Sequence, residues 1–183
     1  ALVTCKNTHA SLLVCNDHEE VGSVSSSGAQ GPFLKSVLER LGHCCGDETD
    51  LLSRIVAKSS LISIDNAHGV HPNYLEKHDD KHRPVLNSGP VIKLNANQRY
   101  ASNSHSVALF KSICDTVKVP HQSFVMRNDM ACGSTIGPIT SAETGINTID
   151  VGVPTFAMHS VRELAGSKDA YNLYKVITSF YSR

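Results

Sequence analysis

Apolar residues along this chain come in short runs separated by polar turns, and the spacing within each run predicts the element it forms. "SLLVCN" (11–16) is a brief apolar run ending in polar residues, the pattern of a strand buried on both faces. After "GSVSSSGAQG", Pro32 is placed as the first residue of a helix; Leu34, Val37, Leu38 and Leu41 follow at helical spacing until Gly42 stops it. "HCCGDETD" reads as a turn, "LLSRIVAKS" as a short amphipathic helix and "SLISID" (60–65) as a second strand. Residues 66–88 have no period and hold four of the ten histidines, so they form a long loop of the kind that tends to be functional or disordered.

Beyond that loop the periods return. "GPVIKLN" (89–95) and "QSFVMR" (122–127) read as strands. Between them residues 104–119 read as a helix with Val107, Phe110, Ile113 and Val117 on one face. "CGSTIGPITSAETG" opens a short helix, and "NTIDVGVP" (147–154) is a strand bounded by Pro154. Leu173, Val176, Ile177 and Phe180 mark a closing amphipathic helix. Strands alternating with helices in this way predict a three-layer α/β sandwich, its largely parallel central sheet flanked by helices, and incomplete in this chain.

In such sheets ligands gather beyond the carboxyl ends of the strands, and here those ends carry chemistry. Asp17, Glu19 and Glu20 follow the first run, Asp65 the second, and His159 lies just beyond the segment after Pro154. Carboxylates brought together repel unless a cation sits among them. A set of Glu, Asp and His without cysteine suits zinc, manganese or cobalt, zinc first. In a strand, Glu19 and Glu20 would point in opposite directions, so one could bind a metal while the other handles the proton of an attacking water. Taken singly, each has a bland alternative: Glu19 and Glu20 as a solvated pair, Asp65 as a turn cap, His159 as a packed imidazole, and Lys93 as a side chain snorkelling out of its strand.

Composition narrows the function classes. Lys plus Arg equals Asp plus Glu at 17 each, so no basic field exists to attract nucleic acid or anionic lipid. No apolar run approaches the roughly 20 residues of a membrane span. Six scattered cysteines without paired spacings read as reduced cytoplasmic thiols. "CGSTIGP" lacks the order and the Lys of a phosphate loop, though its backbone N–H groups could hold a peptide terminus. His78, His82, His9, His43, His105 and His121 read as surface or polar-loop residues. The chain opens on Ala1 inside an apolar segment with no cap before it, the mark of a fragment or processed piece.

Five stretches in order, "NDHEEVGS", "SIDNAHGVHPNY", "HRPVLNSGPVIKLNANQRYASN", "RNDMACGSTIGP" and "FAMHSVRELAG", resemble the aspartyl aminopeptidases. These are cytoplasmic di-metal exopeptidases that release N-terminal Asp or Glu. The resemblance covers essentially the whole chain. It implies that Glu19 is the general base, Glu20 and His159 ligands of one metal, and Asp65 a ligand of the other, the two divalent ions being zinc. It also implies that Lys93 and Tyr100 line the substrate pocket and that His71 reaches a neighbouring subunit's active site in a homo-oligomer, a dodecamer in the complete enzyme.

The family further uses an upstream His and a metal-bridging Asp that these 183 residues lack, along with an N-terminal part and an inserted dimerisation domain. Residues 1–183 therefore read as the C-terminal segment of a catalytic domain, one that alone binds zinc weakly and hydrolyses nothing. A non-catalytic assembly module of the same fold is the competing reading, and a di-metal aminopeptidase of broader specificity a third.

Overall fold

A computed structural model describes residues 1–7, 9–46 and 48–183. Helices α1 (Phe33–Cys45) and α2 (Leu51–Lys58) lead into β1 (Ser60–Ile64) and the two-residue β2 (Ala67–His68). Then come β3 (Val91–Leu94), α3 (Ser104–Thr116), β4 (Gln122–Val125), α4 (Ile136–Thr144), β5 (Asn147–Gly152), β6 (Pro154–Phe156), β7 (Leu164–Ala165) and α5 (Asp169–Tyr181). The main sheet has the order β1-β5-β3-β4; β1 and β5 are parallel, β3 and β4 are parallel, and β3 meets β5 antiparallel. A second small sheet, β2-β6-β7, pairs β2 with β6 in parallel and β6 with β7 antiparallel.

Alternation along β5 builds the layers. Ile149 and Val151 point into a core with Ile92, Phe110, Ile113, Cys114 and Val176, which seats α3 and α5 on one face. Burial there pushes the Cys114 thiol up to about 12, so it stays an inert packed group. Thr148 and Asp150 point to the other face, where α4 packs on β5 and β1. Helix α3 begins on a capping box, with Asn103 accepting from the Ser106 N–H and the Ser106 side chain accepting from the Asn103 N–H. Helix, sheet and helix make the expected three layers.

Several sequence expectations need correction. Residues 11–16 are not a strand: no regular pairing forms there, and Leu12 and Leu13 are 45% and 63% exposed. An apolar run specifies a strand only if an edge accepts it, and among the described residues β1 pairs with β5 alone. Gly42 does not stop α1, which continues through His43–Cys45; Gly42 is buried, its open side facing Leu52 of α2, so a small residue serves packing there. The remaining turn stretch includes residue 47, which lies outside the described residues. The 66–88 loop contains β2 and a kinked 3-10 segment, Pro72–Lys77. His78 is buried rather than on the surface, its ring edge-on to Phe124.

Candidate metal and peptidase site

Glu19 and Glu20 stand on a single 3-10 turn, Glu19–Val21. This corrects the premise of a period-2 strand, although successive side chains of a 3-10 turn also diverge. Two left-handed residues frame the turn: His18 at φ 60° and Ser23 at φ 64°, the Ser23 N–H donating 2.7 Å to the His18 carbonyl. The serine loop behind it holds them there. His18 Nδ1 lies 2.8 Å from Ser25 Oγ, which accepts from the Gly28 N–H at 2.9 Å. A Cβ at Gly28 would overlap the Ser23 carbonyl, so glycine is required for this close approach.

Asp65 follows β1 where the pairing steps from one sheet to the next. Its N–H donates to the Val151 carbonyl at 3.0 Å, and the Ala67 N–H donates to Val153 at 2.9 Å, leading into β2 beside β6. Its side chain receives Lys93 Nζ at 3.0 Å. Lys93 does not snorkel outward: its side chain is 3% exposed, and its ammonium also stands 5.6 Å from the centroid of the Tyr100 ring. Tyr100 is itself buried, and burial, with a hydrogen bond to Cys132, pushes its phenol above the ordinary range.

His159 comes from the turn after β6, in the left-handed region at φ 68°. Non-glycine residues pay for that conformation, and such strain concentrates at functional sites. Its Nε2 lies 2.9 Å from Glu20 Oε2, with the two side chains 69% and 72% exposed. So open an ion pair contributes little stability. Glu19, less exposed, is held above the usual carboxylate range by partial burial and then by the negative charges of Asp65 and Glu20, against the opposing pull of Lys93 and His159. His68 lies within the fields of Lys93, His159 and Asp65.

Thus Glu19, Glu20, Asp65, Lys93, Tyr100 and His159 are brought into one neighbourhood. His71 makes other contacts: its Nδ1 accepts from the Asn73 N–H at 3.1 Å, and its ring packs 5.3 Å from Tyr74 and 5.2 Å from Phe156. The donors fit zinc in kind, being carboxylate oxygen and imidazole nitrogen. In number they fall short, for no three His, Cys, Asp or Glu gather as a ligand group among the described residues.

Residues 2–181 match the aminopeptidase I zinc metalloprotease family, M18. This chain belongs to that family. It is 57% identical over 182 residues to a probable M18 family aminopeptidase 2 of Ectopseudomonas mendocina, covering 100% of this chain and 42% of the relative. The M18 chain described here thus spans less than half the length of that curated relative. Among solved structures it is similar to a chain in the cryo-EM structure of the Ape4 and Nbr1 complex, with 48% identity and a TM-score of 0.87, over 90% of this chain and 31% of that one. It is also similar to a chain of the S. cerevesiae mApe1 dodecamer, with 31% identity and a TM-score of 0.77, over 91% of this chain and 36% of that one. Among the described residues no helix is long and apolar enough to cross a membrane.

Sequence reasoning missed two buried carboxylates of the M18 chain. Asp169, at the start of α5, accepts from the Asn87 N–H at 2.6 Å and the Gly89 N–H at 3.1 Å, tying that helix to the turn before β3. Asp150 lies mid-strand in β5 at the N-terminal end of α4. An acid set between Ile149 and Val151 in the strand was the available signal for it.

Proposed function

We propose that residues 1–183 are the C-terminal part of the catalytic domain of a cytoplasmic di-metal aminopeptidase that removes N-terminal Asp or Glu from peptides. The observation that carries the reading is the meeting of Glu20 with His159 beside a half-buried Glu19, in a chain whose family is that of zinc metalloproteases. One zinc would rest on Glu20 and His159 and a second on Asp65. Bound there, the ions would supply Lewis acidity toward the scissile carbonyl.

This chain's own residues carry the remaining work. Glu19 takes a proton from the attacking water and delivers it to the departing amine, the work of a general base. Lys93, buried and cationic between Asp65 and Tyr100, meets the acidic side chain of the substrate's first residue. Tyr100 forms the wall beneath it. His71, half-buried and placed apart from the acids, reaches the site of a neighbouring copy in a homo-oligomer, a dodecamer like that of the yeast relative.

Two donors for one metal and one for the other are too few for tight binding, so the 183-residue chain alone binds zinc weakly and is inactive. That shortage also favours a second reading, a non-catalytic module of the same fold. The full-length protein from which the chain comes decides between them. Supplied with zinc, it should cleave N-terminal Asp and Glu anilides faster than the Leu anilide. No cleavage of any of the three would sink the enzyme reading, and preference for Leu would replace the substrate class.

A further inference from the structure

Asp150 is 1% exposed, and both carboxylate oxygens are engaged. Oδ2 accepts from the Ala101 N–H at 2.6 Å and Oδ1 from the Thr135 hydroxyl at 2.7 Å. Its own N–H donates to Ser102 Oγ at 3.0 Å. A Cβ at Gly137 would overlap the carboxylate, so the first turn of α4 closes directly on it. Three separate pieces of chain, residues 100–102, the Thr135–Gly137 turn and β5, therefore converge on one acid.

None of these contacts is with a cation, and a buried carboxylate without one is expensive. The positive end of α4 offsets part of that cost, which also means this helix end already faces an internal anion rather than a free peptide terminus. What the acid adjoins is informative. Strand β3 runs antiparallel to β5 with Val91 opposite Gly152 and Ile92 opposite Val151. Continuing that register by one residue sets Lys93 opposite Asp150, on the same face of the sheet. Ala101, held by Asp150, follows directly on Tyr100, whose ring backs the Lys93 ammonium. The Arg99 side chain donates to the Cys132 carbonyl at 3.1 Å, joining the same two loops one step further out.

We propose that Asp150 is a positioning residue for substrate selection: by clamping the 100–102 segment to the start of α4 it fixes Tyr100, and through Tyr100 the Lys93 ammonium, where an acidic first residue would bind. The inference deepens the function proposed above and rests on Lys93 meeting that side chain. Asp150 itself touches no substrate and takes no part in bond breaking.

The test uses the zinc-loaded, full-length enzyme and its Asp and Ala anilides. Asp150→Asn keeps the volume but leaves a neutral amide with one acceptor oxygen, so the two charge-assisted bonds from Ala101 and Thr135 can no longer both be accepted. We expect KM for the Asp anilide to rise about tenfold, the scale of one hydrogen bond to a charged group, with kcat and the Ala anilide within about twofold. In a Lys93→Met background the same change should add under about twofold, because the two act on one interaction. Equal losses on both anilides, or an undiminished effect in the Lys93→Met background, would show a merely structural role and overturn the proposal. Should Asp150→Asn not fold, Thr135→Val removes one donor to the same oxygen and should lower Asp-over-Ala discrimination in the same direction; no change in discrimination overturns the proposal equally. A wild-type enzyme without preference for Asp defeats the acid-specific reading itself, and that result is seen before any variant is compared.

Discussion

Residues 1–31 and the β1-β5-β3-β4 sheet hold their apolar side chains in opposite ways. In the sheet, Ile92, Ile149 and Val151 are closed off by Phe110, Ile113 and Val176 from α3 and α5. In the leading segment Leu12, Leu13, Val21 and Val24 are exposed, and order comes from hydrogen bonds among serines and glycines around a single 3-10 turn. Yet the proposed site draws on both: Glu19 and Glu20 from the loosely packed segment, Asp65 and Lys93 from the sheet. A rigid scaffold fixes one half of the chemistry while an irregular turn, strained at His18 and Ser23, presents the other.

The largest expected effect falls on the loose side. In the full-length enzyme Glu19→Gln should lower kcat by about 10²–10⁴-fold, the usual worth of a general base, with bound zinc unchanged by elemental analysis. Retained kcat would strip Glu19 of its chemical role and leave the leading segment only Glu20 to contribute. Next comes the sheet itself: Phe110→Ala opens a cavity between α3 and β5 and should cost about 3–5 kcal/mol, read by urea unfolding of the 183-residue chain. A cost near zero would mean that the sheet is no better packed than the segment before it. Smaller again, Lys93→Met should weaken kcat/KM for an N-terminal Asp anilide about 10–100-fold more than for the Leu anilide, the range of a charge-assisted hydrogen bond. Equal losses would confine Lys93 to holding Asp65.

How legible each region was follows from the same contrast. Strands β3, β4 and β5 and helices α3 and α5 announced themselves through apolar periods, and the neighbours that bury those periods are present; β1, α1 and α2 carry a period although their apolar side chains are at most partly buried. The 11–16 run has the same composition as a buried strand, but a sequence pattern records what a segment could pair with and not whether an edge receives it. Gly42 looked like a helix stop because its contact with Leu52 is tertiary. Strands β2, β6 and β7, at two or three residues, are too short to carry a period. For the proposed site, Glu19, Glu20, Asp65 and His159 were singled out by their places after apolar runs and by resemblance. Asp150 and His78 escaped because their significance lies in partners dozens of residues away or in a ring packed over them.

His78 offers a pH test in the loop between β2 and β3, where its ring packs on Phe124 of the sheet. Burial holds its imidazole below the ordinary value, with the neighbouring His68 and Arg83 charges adding to the effect. The unfolded chain then binds the proton more readily than the folded one. Stability from this group is therefore complete above about pH 6.5 and is lost as pH falls through the lower folded value. Thermal unfolding between pH 8 and pH 5 should show a smaller drop for His78→Gln than for the wild type. An unchanged drop assigns the acid sensitivity elsewhere.

The smallest expected effect probes the comparison most directly. Leu13 is 63% exposed, the adjacent Leu12 accepts a hydrogen bond from Tyr181 Oη at 3.2 Å through its carbonyl, and no strand pairs with the segment among the described residues. Leu13→Ser removes apolar surface that water already reaches, so it should shift the stability of the 183-residue chain by less than about 0.5 kcal/mol. Among the described residues no strand pairs with the outer edge of β1, where Ile64 is exposed. If 11–16 paired there in solution, Leu13 would be buried and the serine would cost about 2 kcal/mol or more. That outcome would erase the contrast between the regions and restore the strand that the sequence pattern predicts. Measuring the same substitution in the full-length protein sharpens the point: a cost confined to the longer chain would mean that residues beyond these 183 cover the segment and hold Glu19 and Glu20 more firmly than the serine loop does alone.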